Sequence, residues 1–475
     1  MKPCSSITDV SANHVEDGNH DLSATNPPGL LDTLFRTDAV REIFSDYGRL
    51  QGMLDFEAAL ARATARAGVI PGPAASQIES QCRAELFDME ALSRGAAAAG
   101  NPAIPMVKAL TAQVERKDHD AARFVHWGAT SQDAMDTGLV LQLRNVLELI
   151  DAGEANLSDA LATLAGKYKG TPVAGRTWMQ QAAPVTFGLK AAGWLSAIER
   201  HRQRLKELCT RTLVLQFGGA VGTLATLGNR GLDVAATLAE ELKLSLPDIP
   251  WHAHRDRLAE VATTLGLLVG SLGKIARDVA LAMQTEIGEA SEPAAPGRGG
   301  SSTLPHKRNP VSAAVVLAAA ARVPALVSVM LAAMVQEQER GLGNWHAEWE
   351  TLPEICMLAA GALGHMSQVM EGLEIDAGRM RENLEATRGL IMSEAVSSAL
   401  AAKLGRQAAH ELVEAACRRA VEQGKSLREV LEQDTKLAAH LSTAELDRLF
   451  DPENYLGVSQ QLVERVLAAR TGRKK

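Results

Sequence analysis

Aromatic residues make up only 4% of this 475-residue chain. Sheets favour rings and β-branched side chains, so this scarcity argues against a strand-dominated fold. The five cysteines, Cys4, Cys82, Cys209, Cys356 and Cys417, form no CxxC pair and no His/Cys metal spacing. Reduced thiols in a cytoplasmic protein are the expectation. His252 and His254 stand two apart without acidic or thiol companions, which does not make a metal centre. A basic excess is missing as well. The net charge of −8 excludes the broad basic face of a nucleic-acid binder, although a few local cations can still hold an anionic substrate. The apolar stretch 311–335 is interrupted by Arg322 and Pro324, so a buried helix is expected there and no membrane span. Residues 1–28 are polar, lack a signal-peptide pattern and predict a flexible extension.

What the chain does have is alanine and leucine in abundance, which suits closely packed helices. Its length exceeds one compact core. Apolar spacing predicts a helix pair over 37–68, stopped by Gly68 and the Pro-Gly-Pro at 71–73, and a second stop at Gly100-Asn-Pro102. Long helices follow over 136–164, 184–215, 257–287, 310–339 and 352–370. The third of these is apolar on more than one face and dotted with small residues, so other helices must surround it. The expected organisation is all-α. An extension (1–28) leads into an N-terminal helical domain (29–125), a central long-helix bundle (126–372) and a C-terminal helical domain (373–475). The basic end, Arg470 to Lys475, is given no function.

Three polar, glycine-bearing stretches break the helical pattern. They are His126-Trp-Gly-Ala-Thr-Ser-Gln-Asp133, Gly175-Arg-Thr-Trp-Met-Gln180, and the run from Gly288 through Gly300-Ser-Ser-Thr-Leu-Pro-His-Lys-Arg-Asn-Pro310. Each has a plain explanation alone: a helix cap at Thr130-Ser131, a surface arginine at Arg176, a mobile loop. The third resists it, because glycines, two serines, Lys307 and Asn309 gather just before a long helix. A helix start offers N–H donors and a positive dipole end to an anion. Oriented donors and a cation favour a reactive hydroxyl, and Lys307 and Asn309 suit charge developing on a carboxylate. No GxSxG elbow and no phosphate-binding GxxxxGK[ST] loop is present.

The third stretch resembles the GSSxMPxKxNP signature of the fumarase/aspartase superfamily, with Leu304 in place of Met. Together with Ser291-Glu-Pro293 and the other two stretches it is similar to the adenylosuccinate lyase-like branch. The resemblance implies three helical domains around a long central bundle. It also implies a homotetramer whose active sites combine regions from different subunits. It makes Ser301 the catalytic serine, with Ser302 as the fallback. Lys307 and Asn309 hold a carboxylate, Thr130, Ser131 and Gln180 contact substrate, and His126 supports the site or contacts substrate. Asn101, Arg176, Thr177 and Arg340 are further substrate-binding candidates.

One departure narrows the chemistry. That branch reads RTHxQ in the second region, its histidine protonating a departing amine, whereas here Trp178 follows Arg176-Thr177. An amine leaving group needs that proton; a carboxylate, with a conjugate-acid pKa near ~4, does not. The tryptophans of the segment 339–349 point the same way. These residues resemble the lactonising members of the superfamily that act in protocatechuate breakdown (the β-ketoadipate pathway), where a carboxylate adds to a double bond within one polycarboxylate molecule. No cofactor and no metal is expected, because the nucleophile is already an anion and the closure is intramolecular. Another superfamily lyase acting on a polycarboxylate, or a non-catalytic protein on the same fold, stands as the alternative.

Overall fold

The computed structural model describes residues 29–294, 297–300 and 302–473. The expected extension, Ser301 and the last two residues of the basic end lie outside them. After a short helix at Asp38–Ile43, helix α1 (Asp46–Arg66) begins at Ser45, whose side chain accepts from Gly48 N at 3.0 Å. Five long helices then build the bundle: α2 (Ser131–Lys167), α3 (Phe187–Thr212), α4 (Asp256–Ala282), α5 (Val311–Ala333) and α6 (Asn344–Gly372). One continuous core runs through them, from Leu54 and Phe56 on α1 to Leu265, Ile355 and Met366. Helices α1 and α2 cross backbone to backbone. A Cβ on Gly52 would lie 2.9 Å from the Gly138 carbonyl oxygen, so only glycine permits the approach.

Two elements differ from expectation. The second motif is a β-hairpin, β1 (Pro172–Thr177) pairing antiparallel with β2 (Gln180–Thr186), so α3 starts at Phe187 and not at Pro184. Thr186 caps α3 by accepting from Leu189 N at 3.1 Å. A smaller pair, β3 (Ala290–Ser291) with β4 (Glu374–Ile375), ties the base of the third motif to the end of α6. Helix α5 runs unbroken through Pro324 and is not a wholly buried element. It buries Ala313, Val316, Ala319, Val323 and Met330, while Val329, Leu331 and the following Val335 face outward. Both α4 and α5 have the length and apolar content of a membrane span, but they pack against each other within the bundle.

The C-terminal segment holds a separate core around Val396, Leu400, Val413, Leu427 and Leu446. The last helix, α7 (Ser459–Arg473), returns to the bundle and places Val463 in the main core.

Midway along the bundle Glu154 is buried, and its Oε2 has no hydrogen-bond partner among the described residues. Burial and then the Asp151 charge push its carboxyl up to about 8. Folding therefore takes up a proton between the ordinary carboxylate value and about pH 8. The stability this group contributes is full below pH ~4.5 and lost as pH rises through 8. Glu154→Gln should accordingly raise Tm at pH 9 by several degrees and leave it nearly unchanged at pH 5. Thermal scans at both values check this, and equal shifts at both would contradict it.

Candidate active site

The first cluster forms where α2 begins. Asp133, fully buried, collects five donors: Thr130 N at 3.0 Å, Gly218 N at 3.0 Å, Gly219 N at 2.9 Å, Gln216 Nε2 at 3.1 Å, and His252, whose Nε2 lies 2.7 Å away. His252 is thus a partner of the buried Asp133. One turn further, Arg255 is enclosed between two acids. It reaches Asp136 at 2.6 and 3.0 Å and Glu348 at 2.6 Å, and Trp345 Nε1 donates to Asp136 at 3.1 Å. Gln132 donates to Asp136 at 3.0 Å and accepts from Arg340 Nε at 3.3 Å, linking this buried network to the surface above it.

Arg340 lies over the start of α2. It donates to Thr130 Oγ1 at 2.9 Å and to Ser131 Oγ at 3.4 Å, and no carboxylate among the described residues pairs with it. Its charge is therefore available to an anion, with two hydroxyls beside it. His126 stands four residues before Thr130 in a left-handed conformation (φ 59°) and contacts Glu57 of α1 at 2.6 Å. Asn101 accepts from Ile104 N at 3.2 Å, and the adjacent Gly100 carbonyl lies 3.2 Å from His346 Nε2 at the start of α6.

The second cluster is at the other end of the bundle. The hairpin turn is Trp178-Met179, both with positive φ (52° and 66°). A two-residue turn of that kind ordinarily takes Asn-Gly, since bulky residues are strained there. The result is a tryptophan 97% exposed, held between the paired Thr177 and Gln180. Arg176 is not free: Glu289, nearly buried, accepts from it at 2.6 and 2.8 Å and also from Asn383 at 2.8 Å. This pair fastens the hairpin to the base of the third motif. Beside it opens a cavity of about 740 Å³, lined in part by Phe187, Lys190, Trp194, Lys274 and Asp278. Burial, and after it the Arg176 charge, hold the Lys190 amine below the ordinary lysine value.

The third motif returns on itself through Asn309 N, which donates to Gly299 O at 2.8 Å, and is anchored by Arg308 to Glu374 at 2.9 and 3.0 Å. The Lys307 ammonium makes no ion pair with a described residue, whereas the start of α5 is already occupied. Glu292 accepts from Ser312 N at 3.1 Å and Ala313 N at 2.8 Å, so the anion at this helix end is the chain's own side chain. The expected substrate site at that N-terminus is corrected accordingly; Lys307 and Asn309 stand on the loop before it.

The structure therefore brings Thr130, Ser131 and Arg340 together, with His126 just before them. It gathers Arg176 to Gln180 with the third motif. It does not bring the two groups together, because α2 lies between them. Its 37 residues extend about 55 Å at 1.5 Å per residue. Glu57, Arg255 and Lys190 were not singled out from the sequence, and Glu289, Glu292 and Glu348 stood inside quoted stretches without an assigned role. For Glu57 a signal existed, since it is one of two acids, with Asp55, inside the apolar run Met53–Leu60.

The chain is similar to proteins of known family. A family model described as lyase matches residues 34–325, and one described as adenylosuccinate lyase C-terminus matches 389–466. A 3-carboxy-cis,cis-muconate cycloisomerase of Pseudomonas aeruginosa is 62% identical over 439 residues, covering 92% of this chain and 96% of that one. One from Pseudomonas putida is 58% identical over 418 residues, covering 88% and 99%. The crystal structure of 3-carboxy-cis,cis-muconate lactonizing enzyme from Pseudomonas putida superposes with a TM-score of 0.90 at 56% identity, covering 94% of this chain and all of that one. The chain belongs to the lyase family of the fumarase/aspartase superfamily.

Proposed function

We propose that this protein lactonises 3-carboxy-cis,cis-muconate to carboxymuconolactone, a step of protocatechuate breakdown in the bacterial cytoplasm. The observation that carries the reading is Trp178, set on a strained hairpin tip where an amine-eliminating relative needs an acid. The names of the 62% and 58% identical relatives support it. In the reaction, one substrate carboxylate oxygen attacks a double-bond carbon of the same molecule. The C–O bond forms as the π bond breaks, and the neighbouring carbon takes the proton. Ser301 delivers that proton, with Ser302 as the fallback. Arg340, Lys307 and Asn309 hold substrate carboxylates against Thr130, Ser131 and Gln180. Thr177 and Trp178 shape the wall where no proton donor is required.

The two clusters stand at opposite ends of α2, a helix that extends about 55 Å, far more than the length of a small acid. A complete site needs the start of α2 from one copy and the hairpin and loop from others, packed antiparallel. The outward apolar face of α5 and the exposed Trp178 and Met179 (71% exposed) support such an assembly, a homotetramer. Pure protein should consume the muconate, seen as loss of conjugated-diene absorbance, while adenylosuccinate and fumarate persist. Turnover of adenylosuccinate but not the muconate would favour the other superfamily reading. Inactivity on all three with an intact oligomer would favour a structural role.

A further inference from the structure

Glu57 has no counterpart among the motif residues, yet it is the more buried half of a close pair. Its side chain is 0% exposed, one oxygen lies 2.6 Å from His126 Nδ1, and the other has no hydrogen-bond partner among the described residues. A carboxylate in that position is costly unless a charge answers it. The answering group is His126, whose left-handed backbone brings the ring back onto α1. That conformation is strained for a non-glycine residue and persists because its surroundings over-determine it. The Gly52–Gly138 contact, one turn from Glu57, holds α1 and α2 close enough for the pair to form. The ring's other nitrogen, Nε2, makes no hydrogen bond with a described residue.

We propose that Glu57 is a positioning residue that keeps His126 as an imidazolium, so that the start of α2 offers a substrate carboxylate a second fixed cation beside Arg340. The inference rests on the functional reading above and deepens it. With Arg340 over Thr130 and Ser131, and Lys307 supplied from the loop, three cations then meet an acid with three carboxylates. The groups facing His126 are consistent. Glu57 approaches from α1 and Asp133 from α2, and both favour the charged ring, while burial opposes it; the net direction is upward. Asp133 is itself answered by His252, and Arg340 is held by hydroxyls at the next turn. Cys82, near Glu57, has its thiol pushed up by burial and then by the Glu57 charge, so it stays neutral beside the pair.

Because His126 is raised, its cation persists above the ordinary imidazole range and is lost as pH rises through the shifted value. For the wild type, kcat/KM on the muconate should fall along an alkaline limb set by this group. Glu57→Gln should move that limb to lower pH by about one unit and raise KM roughly tenfold near neutrality, with a smaller change in kcat. His126→Gln should remove the limb, and adding Glu57→Gln to it should shift nothing further. The unreactive propane-1,2,3-tricarboxylate, followed by calorimetry across the same pH range, reads the same titration without turnover. A failure of the muconate assay therefore stays distinguishable from a failure of the pair. A limb that keeps its position in Glu57→Gln overturns the proposal. Should that variant not assemble, a tricarboxylate binding profile unchanged in His126→Gln overturns it equally.

Discussion

Ser301→Ala is expected to lower kcat on the muconate roughly a thousandfold while leaving assembly and Tm unchanged. Ring closure puts the developing charge of the broken double bond on one carbon, and a positioned proton donor removes it as it forms. In water a serine hydroxyl is a reluctant acid. In the proposed reading, Lys307, which makes no ion pair with a described residue, and Asn309 stand on the same loop and stabilise the alkoxide left behind. The side chain is small, so its loss removes little packing. Steady-state rates and size-exclusion profiles of the two proteins check the expectation. Full activity in the alanine variant would move the proton to Ser302, and Ser302→Ala is then the variant that loses it.

Arg255→Met should lower folding stability by about 3–5 kcal/mol, because it leaves two buried carboxylates facing each other without a cation. Arg255 reaches Asp136 and Glu348 with all of its nitrogens, and none of the three side chains has water to fall back on. Burial already pushes the Glu348 carboxyl up, and the Arg255 charge is what opposes that rise. The damage should reach the site too: Asp136 holds Gln132, and Gln132 accepts from Arg340. Denaturant midpoints should show the loss, and adding Asp136→Asn and Glu348→Gln should restore much of it by removing the stranded charges. A single-variant loss of less than ~1 kcal/mol, the scale of an exposed ion pair, would contradict this account.

The long helices were legible because their apolar spacing is local, and the three motifs because each is contiguous. Trp178 was legible as a departure within such a motif. The pairings that hold the site were not. Glu57 meets His126 across 69 positions only because α1 and α2 cross at two glycines. Glu292 caps α5 from 20 residues upstream, and a helix start with no capping residue of its own gives no sign of that. The hairpin around Trp178 was hidden because two short strands flank a turn without the usual Asn-Gly. The outward face of α5 was hidden for a different reason. A helix apolar nearly all round, save for Arg322 and two serines, does not mark which side a neighbour will cover.

The Trp178-Met179 turn also bears on how such a family diversifies. Its ladder from Pro172 to Thr186 is fastened below the tip by Arg176 and Glu289, while Trp178 itself is almost wholly outside its own chain's packing. A replacement there leaves the core volume untouched and disturbs no buried hydrogen bond. Under the proposed function, reaction type and chain stability are thereby uncoupled at this position. Selection can exchange a proton donor for an indole at this tip and test a new leaving group without first re-evolving the bundle that carries it.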